Sequence, residues 1–181
     1  MLNLVKSYKK YFNDKYFVWS SAIGLLFLIF SLATYYLSSI YATEKQSNAV
    51  TDIILSNIPV YDVASIFVYG FLAFIVFISF VCLIKLKIIP FVVKSTAIFL
   101  IIRSIFVSLT HIGLYPDVVS ANVDVFKIIT SGGDLFFSGH AGFPFLLALI
   151  FWQEKTLRYL FISISVFFWR SSAIGALSLY N

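Results

Sequence analysis

Charged side chains are scarce in this sequence. They make up 12% of the 181 residues, whereas hydrophobic residues make up 61% and the mean hydropathy is +0.97. Soluble domains average roughly 25% charged and 45–50% apolar residues, so water cannot be the main solvent of this chain. Cysteine is also nearly absent, because Cys82 is alone and lies in an apolar run. No intramolecular disulfide can form, and we interpret Cys82 as a small packing residue.

Internal repeats and metal-binding patterns are missing as well. No group of Asp, Glu and His has the spacing of metal ligands, so we predict no metal and no cofactor. The absence of repeats argues against the inverted-repeat architecture of many transporters. The net charge of +5 comes from cations near the ends of apolar segments, where they anchor a membrane protein. It therefore predicts no nucleic-acid partner.

Long apolar runs are what the sequence has in abundance. Five of them approach the length of about 20 residues that an α-helix needs to cross a hydrocarbon core. The first is too long for the apolar part of a signal peptide, so we interpret it as a retained span. We predict an all-α fold, a single polytopic membrane domain over residues 1–181 with a bundle of about five transmembrane helices. The predicted spans are residues 17–40, 64–84, 88–110, 135–152 and 157–180.

The charges between these spans alternate in sign. Lysine and arginine are in excess before the first span, in the turn at residues 85–87 and around the turn at residues 153–158. Aspartate and glutamate are in excess in segments 41–62 and 111–134. Positively charged loops stay on the cytoplasmic side. We therefore predict an integral multi-pass protein with a cytoplasmic N-terminus, and with both acidic segments outside.

One short segment combines residues that can bind phosphate and transfer a proton. It reads GGDLFFSGH at residues 132–140, where the second acidic segment meets the fourth span. Its glycines allow a tight turn, and Ser138 is a good N-cap for the following helix. Free amides at a helix start bind phosphate, and His140 can protonate a leaving oxygen. The alternative is a capped helix start with an interfacial histidine and no ligand.

Arg103 is a second candidate, because a charge inside a membrane span costs a few kcal/mol or more and usually serves a function or a buried pair. It precedes His111 by eight residues, about two helical turns, so the two lie on similar faces. Its guanidinium can bind a lipid phosphate in bidentate fashion. The alternatives are snorkelling and a structural ion pair with Asp134. For His111, a phosphate contact and an interfacial helix cap both stay open.

The segment GGDLFFSGHAGFPFLL resembles the histidine motif of the sphingomyelin synthase-like branch of the type-2 phosphatidic acid phosphatase superfamily. In that branch an acidic residue precedes Ser-Gly-His-Thr at the head of a helix. Asp134 and the run Ser138, Gly139, His140 match, while Ala141 replaces the threonine. The segments NIPVYDVASIF and IIRSIFVSLTHIG look like those of bacterial members at the same places. The resemblance covers roughly residues 55–168, and it implies a six-helix core in a bacterial inner membrane.

The resemblance also implies an activity. Members are lipid phosphatases or lipid phospho-head-group transferases that act on membrane lipids at the outer face through a phosphohistidine intermediate. His140 would be the general acid, and the implied phosphate-binding residues are Arg103, Ser138 and Gly139. Asp134 and His111 would support them.

In this family a second histidine, oriented by an aspartate, attacks the lipid phosphorus. The chain has two histidines and neither follows His140. The sequence ends in WRSSAIGALSLYN, where the second motif and a sixth span are expected. One permitted codon series for this segment, shifted by one base, encodes an apolar run followed by His-Tyr-Thr-Ile and an acidic residue. We therefore expect a frameshifted or truncated product that is inactive as written, with a non-catalytic membrane protein as the alternative.

Overall fold

The computed structural model describes residues 11–45, 64–110 and 139–178, and the regular elements within these ranges are all helical. The prediction of an all-α fold is therefore confirmed for this part of the chain. The helices are α1 (Lys15–Glu44), α2 (Ala64–Ile84), a 3-10 turn (Leu86–Ile88), α3 (Ile89–Leu109), α4 (Gly139–Ile150) and α5 (Lys155–Ser178).

Two helical stretches are long and apolar enough to cross a membrane, judged by length and composition. They are α1 and the stretch Leu86–Leu109, which contains α3. Shorter apolar stretches occur at Tyr69–Ile84 and Gly139–Ile150. The helices overlap all five predicted spans, while residues 135–138 and 179–180 of these spans lie outside the described ranges. Five membrane crossings stay a prediction.

Local signals account for several helix ends. The side chain of Asp14 accepts a hydrogen bond from the backbone amide of Tyr16 at 3.0 Å, as an N-cap of α1 does. The last hydrogen bond of that helix runs from the amide of Lys45, the C-cap, to the carbonyl of Tyr41. Pro90 lies in the first turn of α3. A proline is tolerated there because the missing amide would have no partner within the helix.

α1 packs chiefly along α3, and the two helices run in the same direction. Near their starts, Lys94 Nζ donates to Ser20 Oγ at 2.8 Å. Further along both helices, the guanidinium of Arg103 lies over the ring of Tyr35. Because both contacts advance together along the two helices, α1 and α3 are parallel.

The other helices alternate in direction around this pair. α2 runs opposite to α5, because Phe71 contacts Phe168 whereas Phe74 contacts Phe161. The turns that join α2 to α3 and α4 to α5 lie together, linked by an ion pair of 2.6 Å between Lys85 Nζ and Glu154 Oε1. We call this the turn end of the bundle and the opposite end, where α4 begins, the site end.

The interface between α1 and α3 is lined by small residues. A methyl group added at Gly24 would lie 3.3 Å from Lys94 Cγ, so the helices approach closely there. Ser31, Ala97 and Ser104 are buried to 2% exposure or less. Large apolar side chains instead face outward on both helices: Leu26, Phe30, Ile98 and Ile105 are about half to two-thirds exposed. Small residues inside and large ones outside are typical of helices that pack in lipid.

Phenylalanine dominates the interface among α2, α4 and α5. Phe161 is fully buried and packs its ring against Phe74 at 5.9 Å and Phe151 at 5.6 Å between centroids. The same cluster includes Leu147 and Ala148 of α4, both fully buried. It lies on the turn-end side of α4 and fixes the position of that helix against α2 and α5. The start of α4 is thereby held near the middle of the site end.

Candidate functional site

Arg103 projects from α3 toward the centre of the site end. Its side chain is half-buried, and its guanidinium carbon lies 4.5 Å from the centroid of the Tyr35 ring on α1. Six residues separate Arg103 from the end of α3 at Leu109, so the backbone of Arg103 lies about 9 Å below that end. The cation is therefore recessed within the bundle, and an aromatic face stabilises it there.

Gly139 lies directly against this guanidinium. A methyl group added at Gly139 would come within 3.0 Å of both Cζ and Nη1 of Arg103. Carbon atoms of real side chains rarely approach other atoms that closely, so any other residue at position 139 would require the guanidinium to shift by a few tenths of an ångström. Glycine here allows a cation from α3 to reach the backbone at the start of α4.

His140, the next residue, is held by aromatic rings. Its imidazole meets the ring of Phe71 edge-on, with 4.4 Å between centroids, and lies 6.4 Å from the ring of Phe168. α2 and α5 thus contribute one ring each to the position of the histidine. Arg103 is also close enough to His140 to act on it electrostatically.

The first turns of α4 are fixed by two further features. Pro144 is fully buried inside the helix and lacks the amide that would otherwise donate to the carbonyl of His140. One residue on, the carbonyl of Ala141 accepts a hydrogen bond of 2.8 Å from Ser165 Oγ on α5. The segment that carries His140 is therefore attached to α5 as well as to its own helix.

The arrangement suits an anion. A guanidinium presents N–H groups in a planar fork that matches two phosphate oxygens. The sequence motif predicts a helix start just before Gly139, and the amides of a first helical turn have no acceptor within the helix. A histidine beside such a cradle can transfer a proton to or from a bound group.

The structure brings together three of the six residues singled out from the sequence. Arg103, Gly139 and His140 meet at the site end, and the contacts of Arg103 differ from those of an arginine that snorkels alone into lipid. Ser138, Asp134 and His111 lie outside the described residues. Their predicted roles, and the alternative ion pair between Arg103 and Asp134, stay predictions.

Sequence reasoning missed the aromatic residues of the site. Tyr35 contacts Arg103, and Phe71 and Phe168 contact His140. For Tyr35 a signal was present, since Thr34, Tyr35 and Tyr36 place three hydroxyl groups in succession inside an apolar run. Phe71 and Phe168 carry no comparable signal in a chain with 21 phenylalanines.

Across residues 11–45, 64–110 and 139–178, no group of three or more His, Cys, Asp or Glu side chains is placed to hold a metal ion. Comparison of the chain with protein-family models, with curated proteins and with solved structures finds no match. The function of the chain is therefore inferred from the geometry of the site and from the motif around His140.

Proposed function

We propose that this chain is an integral membrane protein of five spans whose N-terminus and turn end face the cytoplasm. Three features support the proposal: two helices of membrane-crossing length, the small-residue interface between α1 and α3, and the cations at the turn end. Lys85, Lys87 and Lys155 all lie there, as the positive-inside rule requires of cytoplasmic turns. The site end then faces the outer side of the membrane.

At that end, we propose a binding site for the phosphate of a membrane lipid. The observation that carries this proposal is the approach of the Arg103 guanidinium to Gly139, beside His140. A cation and a proton-transfer group converge there from two helices that are separate in sequence. Arg103 and the amides of α4 would bind the phosphate oxygens, and Ser138 would add its hydroxyl.

The chemistry we infer is that of a lipid phosphatase or a lipid phospho-head-group transferase. The motif around His140 supports this reaction class through its resemblance to the sphingomyelin synthase-like branch. In the reaction, His140 would protonate the leaving alcohol oxygen as the bond from phosphorus to that oxygen breaks. The attack on phosphorus requires a second histidine in that family, and none follows His140 in these 181 residues.

The second candidate function is lipid binding alone. The chain would then be a non-catalytic membrane protein that binds lipid phosphate without turning it over. Both candidates share the Arg103 site and differ only in product formation. We expect the 181-residue chain to bind and not to turn over, because a proton donor without a nucleophile leaves no covalent route.

Binding of fluorescent phosphatidic acid to the purified chain in phosphatidylcholine vesicles tests the shared site. Replacing a charged hydrogen-bond donor costs about 1.5–3 kcal/mol, so we expect Arg103→Gln to weaken binding about 10- to 100-fold. Arg158→Gln is the matched control, because Arg158 lies at the turn end and bonds to the carbonyl of Trp152. Equal affinity of the Arg103→Gln variant and the unaltered chain would refute the phosphate site.

Phosphate release and head-group transfer, measured in the same vesicles, distinguish the two candidates. Binding without product formation would support the non-catalytic function of this chain. Product formation that His140→Ala abolishes would support the enzyme and would show that a group other than a second C-terminal histidine attacks the phosphorus. Product formation that survives His140→Ala would contradict the assignment of His140 as the general acid.

A further inference from the structure

A lateral groove lies between α2 and α5, directly below His140. It has a volume of about 360 Å³, and every side chain that lines it is apolar. This volume falls within the range of roughly 300–1,000 Å³ that is common for small-molecule sites. Its walls are formed by Gly70, Ala73 and Phe77 on α2 and by Leu160, Ile164 and Phe167 on α5.

The groove is adjacent to the site. Phe168 lines it and also contacts the ring of His140. Gly70 lies opposite, where an added methyl group would be in ordinary contact with Phe168 at 3.7 Å. The groove and His140 therefore share Phe168 as a common neighbour.

The length of the groove and the exposure of its wall residues indicate what kind of molecule it can hold. Along α5 the groove is lined from Leu160 to Phe168. These two residues are eight positions apart, about 12 Å along the helix. One leaflet of the hydrocarbon core is about 15 Å deep. Leu160 and Phe167 are 40% and 51% exposed, so the groove is open on its lipid-facing side along its length.

We propose that this groove binds an acyl chain of the lipid whose phosphate lies at Arg103. The inference depends on the proposed phosphate site and adds the way in which the lipid is held. The head group occupies the recessed cradle at the site end, while one chain lies between α2 and α5. The apolar walls exclude a charged or hydrated occupant, and the open side allows the lipid to enter and leave within the membrane plane.

Photo-crosslinking tests the proposal. The purified chain is reconstituted in phosphatidylcholine vesicles with a phosphatidic acid that carries a diazirine in one acyl chain, and crosslinked peptides are identified by mass spectrometry. We expect crosslinks on the groove residues of α2 and α5. Ala73→Phe fills the groove from an exposed wall position and should reduce these crosslinks about tenfold.

Two further variants guard against misfolding. Gly70→Leu extends into the same groove from the end of its α2 wall that faces Phe168 and should reduce crosslinking in the same way. Ala33→Phe is the matched control, since Ala33 lies on the exposed face of α1, and it should leave the groove crosslinks unchanged. Crosslinks spread evenly over all lipid-facing helices, or unchanged by both groove variants, would overturn the proposal.

Two comparisons distinguish a failure of the groove proposal from a failure of the phosphate-site proposal. Groove crosslinks should fall in Arg103→Gln and with a diazirine diacylglycerol, which has the same chains and no phosphate. Unchanged crosslinks in both would overturn the link between groove and phosphate site. One combination of results would refute the groove alone. In it, soluble dihexanoyl phosphatidic acid still binds in a way that depends on Arg103, while the groove variants leave the crosslinks unchanged. Disulfide formation between two chains carrying Ala73→Cys would instead assign the groove to a second copy of the protein.

Discussion

Arg103 and Arg158 both lie over aromatic rings, yet their surroundings differ in kind. Arg158 contacts Trp152 and Tyr159 and bonds to the Trp152 carbonyl, and both partners lie within six residues of it in the sequence. Arg103 contacts Tyr35 on α1 and the backbone of Gly139 on α4. The first set of contacts ends a helix and anchors a turn. The second brings distant segments together around a cation, which is the arrangement expected of a binding site rather than of a local cap.

The site end and the turn end of the bundle also differ, and the side of the membrane on which each end lies gives the sharpest test of that difference. Glu44 at the site end and Lys155 at the turn end are both exposed. In a Cys82→Ser background, we expect Glu44→Cys to react with an impermeant maleimide on intact cells and Lys155→Cys to react only after permeabilisation. This all-or-none difference follows from the positive-inside rule. Labelling of Lys155→Cys from outside would reverse the orientation of the site.

At the site end, Gly139→Ala should have the largest effect on lipid-phosphate binding among conservative substitutions outside the arginine itself. The added methyl group would lie 3.0 Å from Cζ, so the guanidinium would have to shift by a few tenths of an ångström from the position that faces the phosphate. We expect affinity for phosphatidic acid to fall about tenfold, while helix stability is maintained because alanine favours helix over glycine. Vesicle binding measures the affinity. Gly142→Ala, the same change in the same helix, is the control, and an equal loss there would show that α4 is generally sensitive to the substitution.

Tyr35 offers a weaker test of the same site. A cation–π contact contributes about 0.5–1 kcal/mol at partly exposed positions, so Tyr35→Leu should weaken phosphatidic acid binding about two- to fivefold. Tyr35→Phe keeps a ring and should restore most of the affinity. Tyr36→Leu, at an exposed position one residue away, should have no effect. If Tyr35→Phe is as weak as Tyr35→Leu, the hydroxyl group rather than the ring acts on Arg103.

Substitutions at the turn end should have the smallest effect on phosphatidic acid binding. The side chains of Lys85 and Glu154 are each 40% exposed, and exposed ion pairs contribute about 0–1 kcal/mol to stability. We expect Lys85→Gln to leave phosphatidic acid binding unchanged and to lower the unfolding free energy by at most about 1 kcal/mol. A double-mutant cycle with Glu154→Gln measures the coupling. A loss of binding in Lys85→Gln would show that the two ends of the bundle are coupled.

Helix positions were predictable from the sequence, whereas helix contacts were not. Apolar runs of about 20 residues located the helices, and the cost of an intramembrane charge drew attention to Arg103. A helix that is apolar on all faces has no single stripe to show which side meets a neighbour. The pairing of Tyr35 with Arg103 therefore required the structure. The small residues Gly24 and Ser31, seven positions apart, were a usable signal for the α1 face that packs against α3.

Among the site residues, too, some were predictable from the sequence and others were not. Gly139 and His140 were predicted from a local motif, because capping and phosphate binding at a helix start depend on adjacent residues. Phe71 and Phe168 hold His140 from two other helices. Their part depends on how α2 and α5 pack around α4, which no short pattern in the sequence specifies.

The length of α1 has a consequence for the membrane in which the protein works. Its 30 residues give a rod of about 45 Å, of which the apolar residues 17–40 account for about 36 Å, whereas the hydrocarbon core is about 30 Å thick. Hydrophobic mismatch of this size is relieved by tilting the helix or by projecting it into the head groups. Tyr35 is part of that rod and meets Arg103 at a fixed level of α3. A thinner bilayer that tilts α1 further is therefore expected to shift the ring relative to the guanidinium, so that lipid composition itself adjusts the phosphate site.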